Sequence, residues 1–203
     1  MDDAFAVVKR TTPCPYALGA RISYGPQWDP ALGLANSELI AQSLAEWAKT
    51  ARTSASHGFV IGIYSPEAAD FGSVTALLKT ALQHLSHFDP NQSDCLQRDI
   101  EQTDWQFEFA GLRLFVNVFA PCYPPGHGKR VEDPERVFLF FQPEYSFDIC
   151  GVNRDNLAAK RMIRRRFAEA GSPYSGELID QRVEAYLYML PLDPGDPPVR
   201  WWE

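Results

Sequence analysis

Cys122, Tyr123, His127, Lys129 and Arg130 fall within nine consecutive residues, inside the stretch 105–148. They are the groups most able to do chemistry. His127 lies in PPGHGKR with glycine on both sides, so it is expected at the accessible tip of a loop or the mouth of a cleft. Neutral imidazole binds transition metals and is the usual proximal ligand of heme. The same residue also reads as a surface histidine without a role. A Cys122 thiolate could hold heme iron or act as a nucleophile, but a lone cysteine is more simply a small buried apolar side chain. Cys14, between two prolines, takes the same plain reading.

Other candidates are weaker. His84 and His87 are three apart on one expected helix, a spacing able to bind metal. No acid shares that helix face, and histidine is favoured at a helix C-terminus anyway, so both read as structural. His57 reads as a loop residue. Arg161, Arg164, Arg165 and Arg166 could clamp a carboxylate or propionate, or form a solvated helix face. Arg161 and Arg165 share a face, while Arg164 and Arg166 diverge from it. No GxGxxG, Walker, HExxH or GxSxG pattern occurs, which removes support for dinucleotide, P-loop and hydrolase readings.

The elements that must position the loop follow from periodicity. WQFEF and LRLFVNVF, joined at Ala110-Gly111, form a hairpin, and RVFLFFQP (136–143) is the strand after the loop. GFVIGIYS (58–65) is a buried strand. One helix is capped by Asn36, with Leu39, Ile40, Leu44 and Trp47 inward. A second is capped by Ser73, with Leu77, Leu78, Ala81 and Leu85 inward. A third spans 153–171 from an Asn153 cap to Gly171, with Leu157, Met162, Ile163 and Phe167 inward. Residues 183–192 read as a final strand. Residues 1–34 read as irregular, with a helical turn after Pro15. Residues 89–104 read as a surface connection with a short helix at 93–100. Trp201 and Trp202 are expected to pack on the body or a partner chain. The mixture predicts one α+β domain over 1–203, with a mixed or antiparallel sheet and flanking helices.

Composition agrees with a soluble globular chain: 203 residues, 45% apolar and 22% charged. The net charge of -7 argues against phosphate-backbone binding. No apolar run is long enough to span a membrane, and the N-terminus does not read as a secretion signal. The four cysteines form no CxxC pair, so a zinc ribbon is not expected. A cytoplasmic protein with reduced thiols is the expectation.

PCPYALGA, WQFEFAGLRLFVNVFAPCYPPGHGKR, FLFFQPEYSFD, IRRRF and the C-terminal tryptophans, in that order, resemble the YqcI/YcgG-like family. That family includes heme-dependent N-hydroxylases acting on guanidine groups. The resemblance places its first signature on Pro121, Tyr123, His127 and Arg130, with His127 as axial ligand of heme b. A second run falls on Gln142, Pro143, Glu144, Phe147 and Asp148. A third falls on Ile163, Arg164 and Arg166, which would meet the propionates together with Arg130, while Tyr123 would lie beside the cofactor. Two departures stand out: Gly128 replaces the proline that often follows the family's histidine, and Pro124-Pro125-Gly126 is extra.

The resemblance implies a heme-dependent monooxygenase that hydroxylates a nitrogen of an amino acid or small guanidine or amine, in bacterial specialised metabolism. Oxygen or peroxide would be the oxidant. A redox partner and a homodimer are the expected protein contacts, with no nucleic acid and no membrane. Phe115, Phe119, Phe138, Phe140 and Phe141 could wall the ring. Glu108, Glu144 and Asp148 could meet a guanidinium. Two alternatives are a heme carrier without turnover and a non-heme metal site using His127 with a carboxylate.

Overall fold

The structure, a computed structural model, describes residues 2–152, 156–173 and 182–203. Five strands form one mixed sheet: β1 (Ile22–Tyr24), β2 (Gly58–Tyr64), β3 (Phe107–Phe109), β4 (Leu112–Phe119) and β5 (Arg136–Pro143). Their spatial order is β1-β2-β5-β4-β3. β1 runs parallel to β2 and every other pair is antiparallel. Five helices accompany them: α1 (Asp2–Thr11), α2 (Gly33–Ala51), α3 (Phe71–His87), α4 (Glu144–Ile149) and α5 (Leu157–Glu169). The expected α+β class holds.

Alternation along the strands sorts side chains onto two faces. Phe59, Ile61, Ile63, Leu114, Val116, Val118, Val137, Leu139 and Phe141 join Ile40, Leu44 and Trp47 of α2 and Val74, Leu78 and Leu82 of α3 in the main core. The other face holds a smaller cluster of Phe5, Val8, Val60, Phe119, Val131 and Phe138.

The first element departs from the expected irregular N-terminus. α1 is a helix whose Phe5 packs on Phe119, Phe138 and Phe140. Burial of Phe5 and Val8 against the sheet holds this ten-residue helix in place. Residues 14–20 make turns, with Ala17 N–H donating to Cys14 C=O, in place of the helical turn expected after Pro15.

The caps differ from expectation. Asn36 lies inside α2, whose N-cap position, Leu32, makes no side-chain cap bond. Asp29 caps the 3-10 turn Pro30–Leu32 that leads into it, its carboxylate accepting from Ala31 N–H at 2.9 Å, while Asn36 Oδ1 accepts the Asp29 N–H at 2.7 Å. Asp70, not Ser73, caps α3 by accepting the Ser73 N–H at 2.7 Å. At α3 a charged acceptor three residues earlier wins because it also suits the positive end of the helix. Asn156 caps α5; Asn153 lies outside the described residues. Leu39 and Leu157 are exposed, against expectation. The short helix expected at 93–100 is a single 3-10 turn, Cys95–Gln97.

The expected strand at 183–192 is absent. Glu184–Leu187 is a 3-10 turn, and Val183, Ala185, Tyr186, Tyr188 and Met189 are buried. That pattern repeats every three residues, which suits a 3-10 turn and not a strand. β3 covers only Leu112–Leu114 of β4. The C-terminal segment covers more of that edge, with Val118 N–H donating to Tyr188 C=O at 3.2 Å. The Tyr188 hydroxyl donates to Leu114 C=O and accepts Phe107 N–H. Trp201 stacks on Tyr188, and Trp202 packs edge-on against Trp201. Both tryptophans pack on the body, as their size demands.

Candidate functional site

β4 ends at Phe119 and the chain returns as β5 at Arg136, so both ends of the intervening loop are held by the sheet. A bridge between Ala120 and Arg130 narrows its neck. Arg130 folds the loop onto itself. Its Nη1 donates to Tyr123 C=O at 2.6 Å and Pro121 C=O at 3.3 Å, and its Nε to Glu132 at 3.0 Å. That guanidinium braces the loop, so it is not a free propionate clamp.

His127 is not at the tip. Pro124, Pro125 and Gly126 are exposed, while His127 is half-buried. Its ring stacks on buried Tyr123, with centroids 4.3 Å apart and planes 2° from parallel. The Tyr123 hydroxyl donates to Leu190 C=O at 3.2 Å, which fixes the platform. Burial first, then the nearby Lys129, lowers the His127 pKa to about 4. The imidazole is therefore neutral at physiological pH, the form that binds metals. Its Nδ1 accepts Lys129 N–H at 3.1 Å, so the neutral ring carries its proton on Nε2.

Lys129 is the group that sequence reasoning left without a role. Its ammonium is buried, sits 4.5 Å over the Phe119 ring and donates to Asn117 Oδ1. Burial lowers its pKa to about 7. The available signal was Asn117, a lone amide within LFVNVF. Ser172 was also missed. Gly128 N–H donates to its hydroxyl at 2.7 Å. A Cβ at Gly128 would lie 3.0 Å from the Phe167 ring and 3.1 Å from Ser172 Oγ. Gly128, the departure from the family's proline, is thus where α5 and the turn after it dock. A proline there would lack the donated N–H.

The remaining candidates separate. Pro143 pairs with Leu114, at the far end of β4, about 17 Å from Phe119 at the usual strand rise. α4 begins at that end, so Gln142, Glu144, Phe147 and Asp148 lie away from His127. Glu144 pairs with Arg113 and Glu108 with Arg98. Phe119, Phe138 and Phe140 surround Phe5, while Phe115 meets Phe147 and Tyr188. Phe141 is in the main core. The walls beside His127 come instead from Phe167, Pro173 and Leu190. Arg161, Arg164, Arg165 and Arg166 are exposed on α5. Burial raises the Cys122 thiol to about 11, so it is protonated at neutral pH. His84 Nδ1 bonds the Ser37 hydroxyl and its ring leans on Trp28, and His57 Nδ1 accepts Arg21 N–H; both are structural. Among the described residues, no group of three His, Cys, Asp or Glu side chains could hold a metal ion. No helix among them is long and apolar enough to cross a membrane.

Heme can be tested against this geometry. The donor fits in kind: a neutral imidazole, oriented by an aromatic platform, with arginines on the neighbouring helix. The space does not fit in the closed arrangement. The cavity lined by His127, Gly128, Lys129, Phe167, Ser172, Pro173 and Leu190 measures about 10 Å³, room for one water. Bonding iron through Nε2 also requires its proton to leave and the Lys129 N–H to give up its acceptor. Neither the curated proteins nor the solved structures contain a match to this chain. The model of the YqcI/YcgG family matches residues 7–191, and the chain belongs to that family.

Proposed function

We propose that the chain is a cytoplasmic heme-dependent N-hydroxylase acting on a nitrogen of an amino acid or small guanidine or amine. The observation that carries this reading is His127: a neutral, half-buried imidazole at the position where the family resemblance puts the axial ligand. Four free cysteines accord with a reducing compartment.

Bound heme would supply the oxygen chemistry, and the protein would supply placement. Tyr123 sets the plane of the His127 ring. Arg164 and Arg166 lie on either side of Phe167 around α5 and would meet the propionates. Phe167 and Ser172 must part from Gly128 to admit the ring. In the net reaction with dioxygen, one oxygen atom enters an N–H bond and the other leaves as water, with two protons and two electrons consumed.

A second reading, a heme carrier without turnover, is favoured by one observation. Among the described residues no carboxylate lines the His127 cavity, and Glu108 and Glu144 are engaged elsewhere.

The test is purification with heme supplied, an absorption spectrum, and mass spectrometry of products from an arginine-like guanidine. A Soret band that vanishes in His127→Ala but survives in Cys122→Ala is expected, with N-hydroxylated product. A band without product selects the carrier. A colourless protein, or a band that survives in folded His127→Ala, overturns both.

A further inference from the structure

α5 is held to the protein differently from α2 and α3. Those two helices send Ile40, Leu44, Trp47, Val74, Leu78 and Leu82 into the main core. Among the described residues, α5 sends none into either apolar cluster, and Phe167 is its one buried side chain. Leu157, at its start, is exposed. An element with so little buried apolar surface belongs to the low-stability end of a fold, where local opening costs less than global unfolding.

The hold of α5 on the His127 loop lies at its C-terminal end. Gly171, at φ 78°, lets Ser172 N–H donate back to Phe167 C=O at 2.9 Å, while Gly171 N–H donates to Ala168 C=O at 3.0 Å. These two bonds close the helix and fix Ser172 relative to Phe167. Both residues then grip Gly128. The Phe167 ring would sit 3.0 Å from a Cβ there, and Ser172 Oγ accepts the Gly128 N–H at 2.7 Å. Gly128 is the neighbour of His127, and Phe167, Ser172 and Pro173 line the His127 cavity. The other walls are tied down. Tyr123 covers one face of the imidazole, and its hydroxyl donates to Leu190 C=O. Met189, beside Leu190, is buried, and Arg130 braces the loop through Tyr123 C=O and Pro121 C=O. Parting α5 from Gly128 is therefore the opening that disturbs the least structure.

We propose that residues 157–173 form a lid over His127, latched at Gly128 by Phe167 and Ser172. Closed, the lid leaves about 10 Å³ beside the imidazole, room for one water. Open, it bares the ring to a ligand. The Schellman-type turn at Gly171 makes ring and hydroxyl release together, so the latch has two states and not a series of loosened ones. Access to the imidazole is gated in this way whatever its ligand, heme or another.

The probe is diethyl pyrocarbonate, which acylates accessible imidazoles. It is applied to the heme-free full chain near neutral pH, and labelled histidines are mapped by mass spectrometry. His84, on α3 and bonded to the Ser37 hydroxyl, reports opening of the main body. In wild type, His127 should label at least about tenfold more slowly than the free peptide PPGHGKR. Ser172→Ala, which removes one hydrogen bond, should raise that rate about fivefold. Phe167→Ala should raise it about tenfold or more, and His84 should keep its wild-type rate in both. A wild-type rate equal to the peptide's overturns the lid, because nothing is closed. Unchanged rates in the variants overturn the latch. A rise at His84 in step with His127 means that the ring is bared only when the whole fold opens, and overturns the proposal as well. Ser172→Ala changes one half-buried hydroxyl and reads the latch on its own if Phe167→Ala does not fold. Heme uptake is scored apart: a chain that takes up none but labels as expected loses the heme reading and keeps the lid.

Discussion

At one end of β4 a buried acid is left easier to ionise; at the other, two bases, His127 and Lys129, are left harder to charge. Asp89 is 4% exposed and Lys129 is 7% exposed, so depth does not separate them. Burial pushes the Asp89 carboxyl up, but the N–H groups of Ala110, Ser93 and Asn91 donate to it and hold its pKa below the ordinary value. Those bonds brace the Ala110-Gly111 turn, where both residues have positive φ. The His127 loop offers no such compensation. Lys129 has one amide oxygen and one ring face, and burial wins. Charge survives in the interior where donors or acceptors are aimed at it, and is shed where they are not. One end is therefore a structural anchor and the other holds two bases with lowered pKa values.

The largest effect expected to test this contrast is on Lys129. Its native pKa of about 7 lies below the ordinary 10.5. Between those values the unfolded chain holds a proton that the native chain lacks, so stability rises with pH. In urea unfolding of the heme-free protein, wild type should gain on Lys129→Met by about 1.4 kcal/mol per pH unit above about pH 7.5. A flat difference would mean the native amine is charged, and the contrast between the two ends would fail.

Asp89→Asn comes next, with an expected cost of about 2 kcal/mol at neutral pH from weakened bonds to three backbone donors. The native pKa here is depressed, so the contribution is full above the ordinary value and is lost as pH falls through the native one. The gap between variant and wild type should close on acidification; a gap that widens in acid would reverse the sign argued for Asp89.

Gly128→Ala should have the smallest effect, about 1 kcal/mol, because Phe167 and Ser172 must give by a few tenths of an ångström. Amide exchange should speed in α5 while β2, β4 and β5 hold steady. Uniform acceleration across the sheet would show that α5 does not dock as a separable element.

Legibility divided along the same line. The hairpin was readable because FEF and LRLFVNVF alternate around Ala-Gly, and β5 because RVFLFFQP holds an unbroken apolar run with three phenylalanines. The two central helices were readable from their apolar stripes, although α2 has no side-chain cap and α3 is capped by Asp70. α1 and the 183–192 segment were misjudged. Phe5 earns its helix only by meeting Phe119 and Phe138, and Tyr188 abandons a strand because its hydroxyl serves two backbone groups of the hairpin. Within the site, His127 was identifiable from its loop, but its depth, its tautomer and its stacking on Tyr123 were not. Arg130 looked like a ligand clamp and is a loop brace.

The sequence by itself determined the family, the α+β class, the strands that carry the central loop and the histidine worth testing. These depend on local periodicity and on motif order, which are properties of the chain alone. Only the tertiary structure decided that the pKa values of His127 and Lys129 are lowered, that the Glu108 and Glu144 carboxylates lie at the opposite end of β4, and that Phe167 walls the cavity. Those outcomes depend on desolvation and on partners far apart in sequence, and no local pattern encodes either.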